Sequence, residues 1–302
     1  MYKARYVALH ETGELCRRAE KAEAMLSECR LCPHNCGADR TAGEKGLCGA
    51  GSQVRIAGAA PHFGEESVLT GKRGSGTVFF SLCNLQCSFC QNYEISHRGH
   101  GQAVSAERLA RAFLRLQQLG CHNINLVSPT HYVPHVLAAL ARAAELGLNL
   151  PLVYNTGGFD SPSTLQLLDG VVDIYMPDIK FFAEKSSTRY LGTPLYPAAA
   201  RGAVSLMHRQ VGDLMTDSQG LAERGLMVRH LVMPGHSDDT AAIMSFLAQE
   251  VSLNTYLNIM GQYRPITQVQ NDPFIGRLPS AQEIMTAHRT AIMLGLVRAG
   301  AH

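Results

Sequence analysis

The chain predicts an α/β protein, a partial (β/α)6 TIM-like barrel preceded by a small N-terminal Cys-rich metal-binding module. Three observations carry this. From about residue 75 onward, short β-rich runs alternate with amphipathic helical runs, which is the pattern of βα units around a parallel sheet. The chemically conspicuous residues fall at the C-terminal ends of successive strand candidates, where such barrels place their active residues. Residues 26–72 are instead rich in Cys, Gly and Pro with little periodicity, a composition suited to folding around a metal. The expected organisation is therefore 1–72, a helix plus Cys-rich module, and 73–302, the barrel.

The first 25 residues mix charge and alanine in a helical pattern and read as a leading helix. Six strand candidates follow: TVFFSLC (77–83), NINLVSP (123–129), PLVYNT (151–156), VVDIYMPD (171–178), LMVRHLVMP (226–234) and TYLNIM (255–260). A helical pattern comes after each. The first runs from Ser105, a good N-cap, to Gly120, a good stop. The second opens at Pro134, a residue tolerated in the first helical turn. A short one covers STLQLLDG, and others begin near Tyr196, near Asp238 and Asp239, and at Ser280. The acidic pair suits the positive end of a helix dipole. The segment 261–279 lacks periodicity and is expected to line the open side of the barrel.

Composition narrows the function classes. With 27 basic and 25 acidic residues the formal charge is +2, and no polybasic run argues for nucleic acid or a membrane surface. No apolar run approaches the roughly 20 residues of a membrane span. The opening residues lack the apolar centre of a signal peptide, so a cytoplasmic protein is expected. In that setting nine cysteines point to metal or redox chemistry rather than disulfides. Cys16 and Cys121 stand apart and read as ordinary small apolar residues.

The other seven form two groups. FFSLCNLQCSFCQNYE places Cys83, Cys87 and Cys90 on a loop leaving the first strand, where three thiolates can wrap one iron–sulfur cube. Three ligands leave one iron open, as in a reactive rather than a closed structural site. A zinc reading of this loop would need a fourth ligand, for which His97 is a candidate. CRLCPHNCGADRTAGEKGLCG spaces Cys29, Cys32, Cys36 and Cys48 as a closed four-ligand site, equally suited to zinc or to a second [4Fe-4S] cluster.

The spacing CxxxCxxC after a first strand, with Phe89 before the last Cys, resembles the radical S-adenosylmethionine (SAM) superfamily. The resemblance implies an oxidoreductase that chelates SAM's amino and carboxylate groups at the open iron. Reductive cleavage then gives a 5′-deoxyadenosyl radical that abstracts a hydrogen atom. It implies that Phe89 packs near the adenine. Over roughly 75–265, VYNTGGF, IYMPDIKFF and MVRHLVMPGHSDD are similar to segments of the pyruvate formate-lyase activating enzyme and its relatives. NLVSPTHYVPHV together with the N-terminal CxxCPxxC looks closer to the PflX-like branch. By position, the resemblance implies that Lys180 and Arg229 hold SAM's carboxylate or nearby oxygens and that Asp178 lines the SAM site. It further implies that Asn155, Thr156, the Met176 carbonyl and Asp178 surround a monovalent cation. Where relatives show Gly-Gly-Glu at the end of the second strand, this chain has Ser128-Pro129-Thr130-His131 with no carboxylate, so Ser128, Thr130 or a backbone carbonyl is expected to accept from the amino group. The implied partners are an electron donor such as flavodoxin or ferredoxin and a glycyl-radical enzyme, with no nucleic acid and no membrane. The alternatives are radical modification of a small molecule or peptide, and a non-catalytic iron–sulfur or zinc protein.

Overall fold

The computed structural model describes residues 2–300, with side chains through 298. Two helices open the chain, α1 (Arg5–Glu11) and α2 (Glu14–Ala24), rather than the single one expected. They part at Gly13, whose left-handed backbone interrupts the helical run. An irregular Cys-rich stretch leads into β1 (Val54–His62), the short α3 (Ser67–Thr70) and β2 (Ser75–Phe80). Next come α4 (Tyr93–Ser96), β3 (Gln102–Val104), α5 (Ala106–Gln118) and β4 (Ile124–Val127). The series continues with α6 (Val133–Glu145), β5 (Leu152–Thr156), α7 (Pro162–Leu168), β6 (Ile174–Pro177), α8 (Glu184–Leu191) and α9 (Tyr196–Val211). It ends with β7 (Met215–Thr216), β8 (Ala222–Leu231), α10 (Ser237–Phe246), β9 (Tyr256–Met260), α11 (Ala281–Met293) and β10 (Ala299–Gly300).

The strands run in the order β10-β9-β8-β6-β5-β4-β2-β1-β3, with β7 paired to β8. The six strands expected from sequence are β2, β4, β5, β6, β8 and β9, and neighbours among them pair parallel. This is a mostly parallel α/β sheet curved as a partial barrel. The antiparallel strands β1 and β3 extend it beyond β2. The boundary expected at 72/73 falls between β1 and β2, which pair from Ile56↔Phe80 to His62↔Ser75.

Local chemistry explains the helix starts. Ser105 accepts from the Arg108 amide, Ser161 from the Thr164 amide, and Ser280 forms a reciprocal capping box with Glu283. Apolar faces of α5 and α6 bury Leu109, Phe113, Leu116, Val136, Leu137 and Leu140 against the sheet. Inside the barrel Val153, Ile174, Met176 and Met227 meet Leu69 of α3. Leu69 therefore stops the barrel floor, and the Asn123 side-chain amide donates to its carbonyl at 2.9 Å. A residue pair ahead of it, Glu65 and Glu66, is thereby held at the inner wall.

Candidate active site

Side chains alternate across a strand, so one in-register layer faces inward at the strand ends. Phe79 pairs with Val127, Val127 with Asn155, Asp178 with Arg229, and Arg229 with Asn258. These residues line one cavity of about 720 Å³ together with Cys83, Cys87, Cys90, Phe89, Ser128, Thr156 and Lys180. Of the barrel residues singled out from sequence, Thr130, Met176 and His97 do not line it.

The loop that follows β2 presents the three thiols. Leu82 takes a left-handed backbone (φ 69), which turns the chain into the cavity. The Leu85 amide donates to Cys83 Sγ at 3.4 Å, and Ser96 Oγ donates to Cys90 Sγ at 3.1 Å. Asn84 ties the loop to the far wall by donating to the Phe159 carbonyl at 2.6 Å. Leu85 sits against Gly157, where an added Cβ would stand 2.8 Å from Leu85 Cδ1 and would push that side chain aside. Burial pushes the Cys83 thiol up to about 11 and raises that of Cys87, so both stay protonated until a metal displaces the proton. His97 Nδ1 shares a 2.9 Å hydrogen bond with Ser96 Oγ, and its ring stacks on Tyr93.

Lys180 Nζ donates to Asp178 Oδ2 at 2.6 Å. Burial opposes the ammonium charge, but Asp178 and its other negative neighbours together hold its pKa above the ordinary lysine value. The Tyr196 hydroxyl accepts from the Lys180 amide at 2.9 Å and donates toward the Gly157 and Asp178 carbonyls, each at 3.0 Å. It thus locks the turn that carries the ion pair. Phe89 is buried, edge-on to Phe181 and Tyr263. Tyr263, Val269 and Ile275 pack into this cluster, so part of the 261–279 segment closes over Phe89 rather than framing an open side.

Arg229 lines the cavity with carboxylate partners that its sequence position did not announce. Its Nη2 donates to Glu65 and Glu66, and its Nε to Glu66 Oε1 at 2.8 Å. Asn258 Nδ2 also donates to Glu66 Oε1, at 2.6 Å. Burial works against the Glu66 carboxylate, yet the Arg229 hydrogen bonds and charge outweigh it and hold its pKa below the ordinary range. The guanidinium is therefore already engaged by two carboxylates.

Thr130 departs from its expected role. It is buried in a network beneath the cavity, donating to Asp160 Oδ1 at 2.7 Å. Tyr154 donates to the same oxygen at 2.9 Å, and Thr156 Oγ1 donates to Asp160 Oδ2 at 2.7 Å. A buried carboxylate needs such donors, and Thr130 and the Thr156 hydroxyl are spent on it. Of the cation candidates, Thr156 thus points its hydroxyl at Asp160, and Asp178 offers one oxygen to Lys180. His131 is also buried; its Nε2 lies 3.0 Å from the Ser81 carbonyl, and burial pulls its pKa down to about 4.

Among the described residues no three His, Cys, Asp or Glu side chains are placed to chelate a single metal ion. A cube engages each thiolate through a different iron, so its ligands ring a volume instead of a point. Three thiols on one cavity wall, Cys87 buried and Cys83 and Cys90 half-buried, two of them accepting hydrogen bonds, form a donor set that fits such a cube.

Residues 77–247, just over half of the chain, match the radical SAM superfamily. The chain belongs to this superfamily. It is accordingly an enzyme of SAM radical chemistry, and membership implies a [4Fe-4S] cluster and SAM. Over 280 residues this radical SAM chain is 29% identical to the uncharacterized protein MJ0674 of Methanocaldococcus jannaschii, covering 89% of the chain and 76% of that protein. SuiB of Streptococcus suis bound to S-adenosylmethionine superimposes with a TM-score of 0.49 at 13% identity. That overlap takes in 73% of this chain and 47% of SuiB, so the chain spans about half of SuiB's length. TYW1 with a lysine-pyruvate adduct gives a TM-score of 0.43 at 10% identity over 72% of each chain. At these scores neither superposition bears on function. No helix among the described residues is long and apolar enough to cross a membrane.

Proposed function

We propose that Cys83, Cys87 and Cys90 hold the cluster and that the cavity between them and Lys180 receives SAM for hydrogen-atom abstraction from a substrate. The observation that carries this is the convergence of the three thiols with Ser128, Asn155, Asp178 and Lys180 on one cavity. When bound, an open-iron [4Fe-4S] cluster supplies the electron that cleaves SAM. Lys180 is the cation free to turn from Asp178 to a ligand carboxylate, a charge-assisted hydrogen bond. Ser128 takes the amino group, with Thr130 excluded by its own network. Phe89, on its cushion of Phe181 and Tyr263, offers a flat apolar face for the adenine and helps keep water out. Flavodoxin or ferredoxin is the electron donor in this reading.

For the substrate we favour a glycine-bearing loop of a partner enzyme, supported by the motifs shared with activating enzymes and the PflX-like branch. A small molecule or peptide is the second reading, favoured by Tyr263, Val269 and Ile275 closing over Phe89. Anaerobic incubation of the reduced protein with SAM and candidate partners tests both. Formation of 5′-deoxyadenosine that vanishes in the Cys83→Ala/Cys87→Ala/Cys90→Ala variant is expected. A persistent glycine-centred paramagnetic signal on the partner supports activation. Turnover of a small molecule without a protein radical selects the second reading, and 5′-deoxyadenosine from the triple variant overturns the assignment.

A further inference from the structure

Arg40 is fully buried and heads the large side chains that are. Its Nε and Nη2 donate to the Gly51 carbonyl at 2.9 and 2.7 Å, and its Nη1 to the His131 carbonyl at 2.7 Å. The same Nη1 lies 4.0 Å from Cys29 Sγ, and the guanidinium stands 5.8 Å from the Tyr132 ring centre. Among the described residues no carboxylate pairs with it. A guanidinium stays charged, and a buried charge without a counterion is among the costliest arrangements in a folded protein. The groups able to supply a negative charge here are the thiols: Cys29 in contact, and Cys48 close enough to feel the arginine's field.

The backbone around these thiols is folded tightly. Cys29 pairs with the returning segment, its amide donating to the Ala38 carbonyl and its carbonyl accepting from the Gly37 amide, both at 3.0 Å. Asn35, with a left-handed backbone (φ 47), closes a turn onto the Cys32 carbonyl at 3.0 Å. A second turn, Gly49 amide to Gly46 carbonyl at 2.8 Å, carries Cys48. The two turns meet at Gly46: a Cβ there would stand 3.3 Å from Cys36 Sγ and 3.4 Å from Cys48 Sγ. Glycine thus keeps open the space between two sulfurs from separate turns. The sulfurs do not surround one point in this structure, so the proposed centre requires the cysteine side chains to turn toward a common centre when metal binds.

We propose that Cys29, Cys32, Cys36 and Cys48 form a second metal centre whose negative charge is neutralised by the buried Arg40. Four thiolates on zinc or on a [4Fe-4S] cluster both leave a net charge of about −2, so either satisfies the arginine. The centre also braces the loop that presents Cys83. His34 Nε2 lies 3.0 Å from the Asn84 carbonyl, and Gly49 packs on Leu82, so the two turns grip the residues on either side of Cys83.

The test uses the full chain carrying Cys83→Ala, Cys87→Ala and Cys90→Ala, which silences the first site. Metal analysis should find about one zinc or about four irons per chain, and visible absorption separates the two. Adding Cys29→Ala and Cys48→Ala should remove that metal. Arg40→Met should speed metal loss to a chelator by about 10–100-fold, as loss of an outer-shell partner does, whereas Arg40→Lys should retain most of the metal. Should the triple variant fail to fold, the wild-type chain decides: its metal content must exceed one four-iron cluster. A folded triple variant free of metal, wild-type content of one cluster only, or Arg40→Met losing metal at the parent rate overturns the proposal.

Discussion

At Arg229 the position matched the motif, but the partners did not follow from it. The residue falls where sequence placed it, on the inward face of β8, yet its guanidinium is held by Glu65 and Glu66. Nothing in HFGEES signalled this. Both glutamates sit in an irregular polar stretch, and only the α3 plug at Leu69 brings them to the wall. Asp160 was equally invisible, because an aspartate after a strand ordinarily meets solvent, whereas here Thr130, Tyr154 and Thr156 surround it. Cys83, Cys87, Cys90, Asp178 and Lys180 were legible because their spacing and strand-end placement encode their location directly. The Arg229 pairing has a measurable consequence. Arg229→Ala strands two buried carboxylates, and breaking a buried pair from one side costs about 3–5 kcal/mol. Urea unfolding should show that loss in the metal-free protein, before SAM is considered. An unchanged midpoint would mean that the glutamates are not held by this arginine.

The βα units were legible as elements because each pairs a β-branched or aromatic run with an amphipathic helix of clear periodicity. β1 was not, since VRIAGAAPH is rich in Gly, Ala and Pro, residues with little strand preference. Its pairing with β2 and β3 comes from tertiary context. α1 illustrates how an element of low independent stability is docked. Asp173, at the foot of β6, accepts from the Arg5 amide at 2.9 Å, the Tyr2 hydroxyl at 2.7 Å and the Leu152 amide at 2.8 Å. Burial nevertheless dominates and raises its pKa from 3.8 to about 6. A carboxyl raised on folding binds its proton more tightly in the folded protein than in the unfolded chain. Stability from this group is therefore greatest below pH 4, declines as pH climbs from about 4 to about 6, and is flat above. Two pKa units correspond to about 3 kcal/mol across that window. Asp173→Asn, which cannot ionise, should flatten this component of the stability profile between pH 4 and 6. A variant with the wild-type slope would assign the slope to other groups.

For the whole molecule, the division expected at residue 72 meets a structure in which the first 72 residues are woven into the barrel. β1 covers the edge of β2 and buries Val54 beside Phe80. Tyr6 is fully buried with its hydroxyl donating to the Leu150 carbonyl at 2.9 Å, and Arg5 Nη1 reaches the Val172 carbonyl at 3.0 Å. α2 packs along α6, and Leu69 fills the barrel floor. Removing residues 1–72 would bare the β2 edge, uncover the apolar face of α6, empty the floor at Leu69 and leave Arg229 without either glutamate. Each of these alone costs stability of the size that separates folded from unfolded domains. A fragment of residues 73–302 should therefore lack a cooperative thermal transition and show little amide protection in β4, β5 and β6. Supplying residues 1–72 in trans should restore both, if the two pieces associate as the intact sheet requires. A fragment that melts sharply alone, with native-like protection in those strands, would establish the barrel as an autonomous domain and the N-terminal segment as an attachment to it.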